Sequence, residues 1–109
     1  MNRKILYGYQ IQNGELVIHS QEAEGVTQIF SLYLTGISQQ QVADALNANG
    51  IRYSPERPLW SRQRITQTLQ NPHYNGKGGY PAIINDKTFQ MAQEMIQKRF
   101  RKREDHPAL

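Results

Sequence analysis

Apolar residues recur along this chain with two different periods, and the changes of period mark its elements. Residues 7–11 (Tyr-Gly-Tyr-Gln-Ile) and 15–19 (Glu-Leu-Val-Ile-His) are short apolar and aromatic runs flanking Gln12-Asn13-Gly14. Asn-Gly between two such runs predicts a β-hairpin, because both central residues of a type I′ turn need positive φ. From Ser20 the spacing becomes helical: Ala23, Val26, Ile29, Phe30 and Tyr33 would bury one face. Ser20 is the expected cap, with Glu22 and Glu24 in the first turn complementing the helix dipole, and Gly36 the expected stop. Ser38 opens a second helix, and Gln41 three positions on predicts a capping box. Val42, Ala43 and Leu46 form its apolar stripe, and Gly50 closes it after Asn47-Ala48-Asn49.

Residues 51–60 hold Pro55 and Pro58 and cannot be helical throughout. Trp60 and Ser61 introduce a third helix, with Ser61 as cap, Ile65 and Leu69 turned inward, and Asn71-Pro72 as the stop. Asn75-Gly76-Lys77-Gly78-Gly79-Tyr80-Pro81 reads as a turn or short hairpin leading into Ala82-Ile83-Ile84. It lacks the spacing of a phosphate-binding loop. Asp86 is the expected cap of a last helix, in which Phe89, Ala92, Met95 or Ile96, and Phe100 share one side. The expected fold class is α+β: a small, mainly helical domain with an N-terminal β-hairpin, a helix-turn-helix-like core and a C-terminal helix. A single domain is expected over residues 1–109, with its core at about 7–103 and a basic tail at 98–109.

Composition narrows the function classes. A chain of 109 residues suits one domain and is too short for a catalytic domain plus a separate binding domain. A hydrophobic fraction of 38% and a mean hydropathy of −0.73 predict a small core beneath solvated or partner-facing surfaces. There is no cysteine, hence no disulfide, thiolate ligand or thiol nucleophile, and His19, His73 and His106 lack ligand spacing. No apolar run is long enough to span a membrane, and residues 1–20 lack a signal-peptide core, so a cytoplasmic protein is expected. No cofactor and no small-molecule substrate are expected. No carboxylate pair or nucleophile with a base stands out, so the chain is not expected to be an enzyme by itself.

Charge is unevenly placed. The net charge is +4, but residues 1–50 carry −2, residues 51–103 carry +8, and the last six residues carry −2 through Glu104 and Asp105. Such an imbalance points to a polyanion reached by the second half, or to a solvated basic face.

The third helix favours the polyanion. With Ile65 and Leu69 turned inward, a step of about 100° per residue puts Gln63, Thr66, Gln67 and Gln70 on the opposite face, with Arg62 and Arg64 on the flanks. Glutamine can pair with an adenine edge, and threonine can contact a base edge or a thymine methyl. Ser61, Arg62 and Arg64, with the helix N-terminus, suit phosphate oxygens. A plain surface helix mixes Glu with Lys, whereas residues 61–72 contain no acid. Arg57, Lys77, Lys98, Arg99, Arg101, Lys102 and Arg103 are further candidate phosphate contacts. The five basic residues within 98–103 exceed what the dipole of a helix end calls for. The connection before this helix is longer than the usual three or four residues of a helix-turn-helix. It fits either a variant packed through Trp60 or a helical core with no DNA role.

The ordered series Tyr7-Gly8-Tyr9, Glu22-Ala23, Ile29-Phe30, Tyr33, Gly36-Ile37-Ser38, Val42-Ala43, Leu46-Asn47 and Gly50-Ile51 resembles the recombinase domain of large serine recombinases. The resemblance continues through Trp60-Ser61, Ile65, Leu69, Asn71-Pro72-His73-Tyr74, Gly76, Ala82-Ile83-Ile84 and Phe89, and runs from about residue 7 to 103. It implies a bacterial or phage-encoded module that follows the catalytic domain and binds part of a double-stranded attachment half-site. It further implies a nucleophilic serine in that preceding domain and oligomers only in the full-length recombinase, this chain alone being a monomer. None of Ser20, Ser31, Ser38, Ser54 and Ser61 sits in an arginine-rich motif like the catalytic one, so no catalytic residue is carried over. Glu56, beside Arg57, departs from the basic character that such domains have before the third helix.

Two other functions fit the same residues. One is a stand-alone repressor or recombination accessory factor, which needs a dimer surface that no heptad pattern supplies. The other is a protein-interaction module in which Tyr53, Tyr74 and Tyr80 anchor an acidic partner, although a core or hinge role suits these tyrosines better.

Overall fold

The computed structural model describes residues 5–105, with side chains through residue 99. The chain opens with a hairpin of β1 (Tyr9–Gln12) and β2 (Glu15–Ile18), paired antiparallel with Gln12 opposite Glu15. Asn13 and Gly14 alone make the turn, at φ of 53° and 80°, the two positive values that a type I′ turn requires. Four helices follow: α1 (Ser20–Leu34), α2 (Gln39–Ala48), α3 (Arg62–Gln70) and α4 (Asp86–Asp105). The architecture is α+β and mainly helical, as the apolar periodicity predicts.

The cap of α1 is His19, one residue before the expected Ser20. Its Nδ1 accepts from the Glu22 backbone N–H at 3.2 Å, and Ser20 is already helical. Only Glu22 lies in the first turn, Glu24 falling in the next. The Glu22 carboxylate accepts from the Gly8 N–H at 2.9 Å and so ties the helix start to the hairpin. Val26, Ile29, Phe30 and Tyr33 are buried as expected, joined by Gly25, while Ala23 is only half-buried. α2 has the predicted capping box: the Ser38 hydroxyl accepts from Gln41 N–H, and the Gln41 side chain accepts from Ser38 N–H. Its inward stripe is Val42, Ala43 and Leu46.

Residues 71–85 contain no strand. They form two 3₁₀ turns, Pro72–Asn75 and Lys77–Gly79, so of the two sequence readings the turn holds and the hairpin does not. The reason is the run of positive φ at Gly76, Gly78 and Gly79, which winds the backbone too tightly for a ladder. α4 is capped by Asn85 rather than Asp86, since Asn85 Oδ1 accepts from the Thr88 N–H at 2.8 Å. Phe89 and Ala92 are buried, and both Met95 and Ile96 pack against the core. The side chain of Phe100 lies outside the described ones.

One core cluster joins all these elements. It takes Tyr7 and Tyr9 from the hairpin end, the stripes of α1 and α2, Trp60, Ile65 and Leu69 at α3, and Tyr74, Ile84, Phe89 and Ala92 beyond. Each large apolar side chain so buried contributes about 1.5–3 kcal/mol of transfer free energy. Aromatic hydroxyls cross-link distant chain. Tyr74 Oη donates to the Tyr7 carbonyl at 2.6 Å, and Tyr9 Oη donates to the Pro81 carbonyl at 2.7 Å. The Tyr9 and Tyr74 rings stack at 5.9 Å. The Tyr9 hydroxyl is pushed up to about 12, chiefly by burial and secondarily by Tyr80.

Candidate nucleic-acid interface

The candidate site is α3 with the long connection that precedes it. α3 begins where the sequence predicts. Ser61 is extended, at φ −116°, and its hydroxyl accepts from the Arg64 N–H at 3.2 Å. Ile65, Thr68 and Leu69 face the core, and Thr68 satisfies its hydroxyl on the Arg64 carbonyl at 2.9 Å. With that face buried, Arg62, Gln63, Gln67 and Gln70 are exposed together on the other. Gln93 of α4 donates to the Leu69 carbonyl and holds the C-terminal end of the helix.

One residue of the expected reading face, Thr66, and one of its flanks, Arg64, are engaged inside the protein. Thr66 is half-buried, and its hydroxyl bonds Gln39 of α2 and the Arg62 carbonyl (3.1 Å), which makes it a tie between the two helices. Arg64 is also half-buried, with its guanidinium carbon 3.8 Å from the centroid of the Tyr53 ring. Residues 49–61 connect α2 to α3, and Trp60, 3% exposed, packs that connection onto the core. The clamp is Asn47. Its Oδ1 accepts from the Trp60 N–H at 2.8 Å and its Nδ2 donates to the Trp60 carbonyl at 3.0 Å. Trp60 Nε1 is buried with no acceptor among the described residues.

The remaining expected contacts scatter. Arg57 is exposed in the connection, its backbone N–H donating to Ser54 Oγ at 3.0 Å. Lys77 is exposed on the 3₁₀ turn that follows α3, and Lys98 on α4. Arg99 is engaged within the fold. It donates to the carbonyls of Ile37 (3.0 Å) and Gly36, just past the end of α1, and lies 4.9 Å from the centroid of the Tyr33 ring. Gly36 and Ile37 lie in the connection between α1 and α2, so the guanidinium ties that connection to α4. The side chains of Arg101, Lys102 and Arg103 lie outside the described ones.

Sequence reasoning missed Asn47 and Tyr53 as parts of this site. Neither has a local signal, since each acts on a partner more than ten residues away. Tyr74 is buried and Tyr53 and Tyr80 pack against the core, the role that suited them better than anchoring a partner. Among the described residues no three His, Asp or Glu side chains come together as a metal site, and no helix is long and apolar enough to cross a membrane.

The family model named Recombinase matches residues 20–99, from the first residue of α1 to the Arg99 clamp. The chain belongs to the Recombinase family. The domain also resembles two solved structures. One, described as a crystal structure of an "LSR-DNA Complex", superposes with a TM-score of 0.71 at 19% identity over 90% of this chain and 33% of that one. The other comes from work on the sequence requirements of the Listeria innocua prophage attP site. It gives a TM-score of 0.71 at 20% identity over 89% of this chain and 44% of that one. At these identities the likeness establishes the fold. The chain spans about a third and under a half of the two proteins. No curated protein matches it.

Proposed function

We propose that the domain binds double-stranded DNA and is the attachment-half-site recognition module of a serine site-specific recombinase, with strand cleavage left to a separate catalytic domain. The observation that carries this reading is the outer face of α3. It exposes Arg62, Gln63, Gln67 and Gln70, is free of acids, and is fixed at both ends to the fold of a Recombinase-family protein. The 0.71 superposition on a protein crystallised with DNA supports the same reading.

In this reading Gln63, Gln67 and Gln70 face base edges in the major groove, where glutamine pairs bidentately with adenine. Arg62, Arg64, Arg57, Lys77 and Lys98 contact phosphates together with Ser61 and the first N–H groups of α3. Thr66 touches DNA through its carbon atoms alone, its hydroxyl being bonded within the protein. Arg99 is removed from the contact set by its own hydrogen bonds. The domain contributes no catalytic residue and takes no cofactor.

The test compares variants on duplexes selected for tight binding and on random duplexes. Gln67→Ala lowers affinity for the selected sites only. Arg62→Ala weakens both and reduces the salt slope by about 0.9, the value for one phosphate contact. Equal losses on selected and random DNA for Gln67→Ala would remove the base-reading assignment.

A further inference from the structure

The connection between α2 and α3 is built around one aromatic ring. Tyr53 is held by its backbone N–H, which donates to the Pro58 carbonyl at 3.0 Å. Its ring stacks on Tyr7 at 5.6 Å with an interplanar angle of 18°, and meets Trp60 edge-on at 5.3 Å and 83°. Tyr7 and Trp60 are each 3% exposed and touch each other at 5.0 Å, so the ring rests on core and not on a mobile loop. Trp60 is in turn fixed by Asn47. Against this ring lies the Arg64 guanidinium, 3.8 Å from the centroid.

A guanidinium stacked on a ring gives up a face and keeps its edge. Its five N–H donors lie in the plane and still present the fork that matches a pair of oxygens. A long side chain that is already ordered also loses less freedom when it binds, a cost of about 0.5–1.5 kcal/mol per immobilised side chain. The backbone N–H of Arg64 is bonded to Ser61 Oγ, which places the residue in the first turn of α3, beside Gln67 on the helix surface.

We propose that Tyr53 is a positioning residue for Arg64: the long connection is an aromatic bracket that presents the Arg64 fork, edge first, to the oxygens of a DNA phosphate. This rests on the DNA-binding reading above, and it assigns the connection a purpose that a shorter turn would not serve. Tyr53 itself does not touch DNA.

Anisotropy titrations of a random duplex with the intact chain separate positioning from structure. Tyr53→Leu binds about three- to tenfold more weakly than wild type. Its slope of log K against log salt is unchanged, since Arg64 keeps its charge. Tyr53→Phe, which retains the ring, restores wild-type affinity. In an Arg64→Ala background Tyr53→Leu costs nothing further, whereas a merely structural loss would appear in both backgrounds. Arg64→Lys, which leaves the core alone, loses the same three- to tenfold at unchanged slope and serves if Tyr53→Leu does not fold. Equal losses in both backgrounds, or wild-type affinity for Arg64→Lys, overturn the bracket and leave DNA binding intact. Absence of salt-dependent binding by the wild type overturns both.

Discussion

Replacing Asn47 by Ala removes the clamp on which the placement of α3 depends. The Asn47 amide makes two hydrogen bonds to one residue, accepting from Trp60 N–H at 2.8 Å and donating to Trp60 carbonyl at 3.0 Å. Both atoms belong to a residue only 3% exposed, immediately before the Ser61 cap of α3. Each lost bond removes about 1 kcal/mol net, and each polar group left without a partner adds a desolvation cost of about 1 kcal/mol or more where water cannot reach it. Since the clamp is partly buried, water recovers a share, and the expected loss is about 2–3 kcal/mol. For a domain of this size that lowers the melting temperature by roughly 10–20 °C. Urea melts followed by Trp60 fluorescence measure it directly, with the slope against urea checking that the transition remains two-state. Asn47→Asp should fall between, because a carboxylate still accepts from Trp60 N–H but cannot donate to the carbonyl. A loss below about 0.5 kcal/mol for Asn47→Ala would refute the claim that this clamp fixes the connection.

Arg99→Met should cost about 1–2 kcal/mol of stability, because it removes the donor to the carbonyls of Gly36 and Ile37, and should leave the DNA salt slope unchanged; a slope lowered by about 0.9 would return Arg99 to the phosphate contacts. Tyr9 ionises at about 12 in the folded state against 10 in the unfolded chain, so its contribution is complete below pH 10 and disappears as pH rises towards 12. Wild type should lose stability across that window, Tyr9→Phe should lose less, and identical alkaline melts would contradict the assignment. Gly8→Ala should cost about 2 kcal/mol or more, since φ is +106° and a Cβ would sit 3.0 Å from Ile83 Cδ1; a thermal shift assay that finds it neutral would mean that the backbone there can relax.

The elements were legible because their signals are local. Asn13-Gly14 dictates its turn through two positive φ values, and Ser38 with Gln41 closes a capping box within four residues. The two displaced caps show the limit of such signals. His19 beside Ser20, and Asn85 beside Asp86, can each offer an acceptor to the N–H three positions on, and the choice falls to how the chain enters the helix. The face of α3 was legible from Ile65 and Leu69 alone, but the use made of its residues was not. Gln39 engaging Thr66, Tyr53 under Arg64, and Gly36 and Ile37 accepting from Arg99 are all pairings made by tertiary packing. A basic residue at the end of a helix reads the same in sequence whether it faces a phosphate or a carbonyl of its own fold. The glycine-rich segment was ambiguous for a related reason: glycine permits a hairpin and a 3₁₀ turn equally, and only the folded backbone shows Gly76, Gly78 and Gly79 at the positive φ that winds a turn.

The central claim is that α3 and its flanks form a DNA-binding surface. It is tested most directly by fluorescence anisotropy of the purified chain with a random duplex, titrated from low to physiological salt. If Arg57, Arg62 and Arg64 alone contact phosphates, log K falls against log salt with a slope of about −2.7, and more steeply if Lys77 and Lys98 join them. Binding that is indifferent to salt, or no binding even at the lowest salt, would contradict the account.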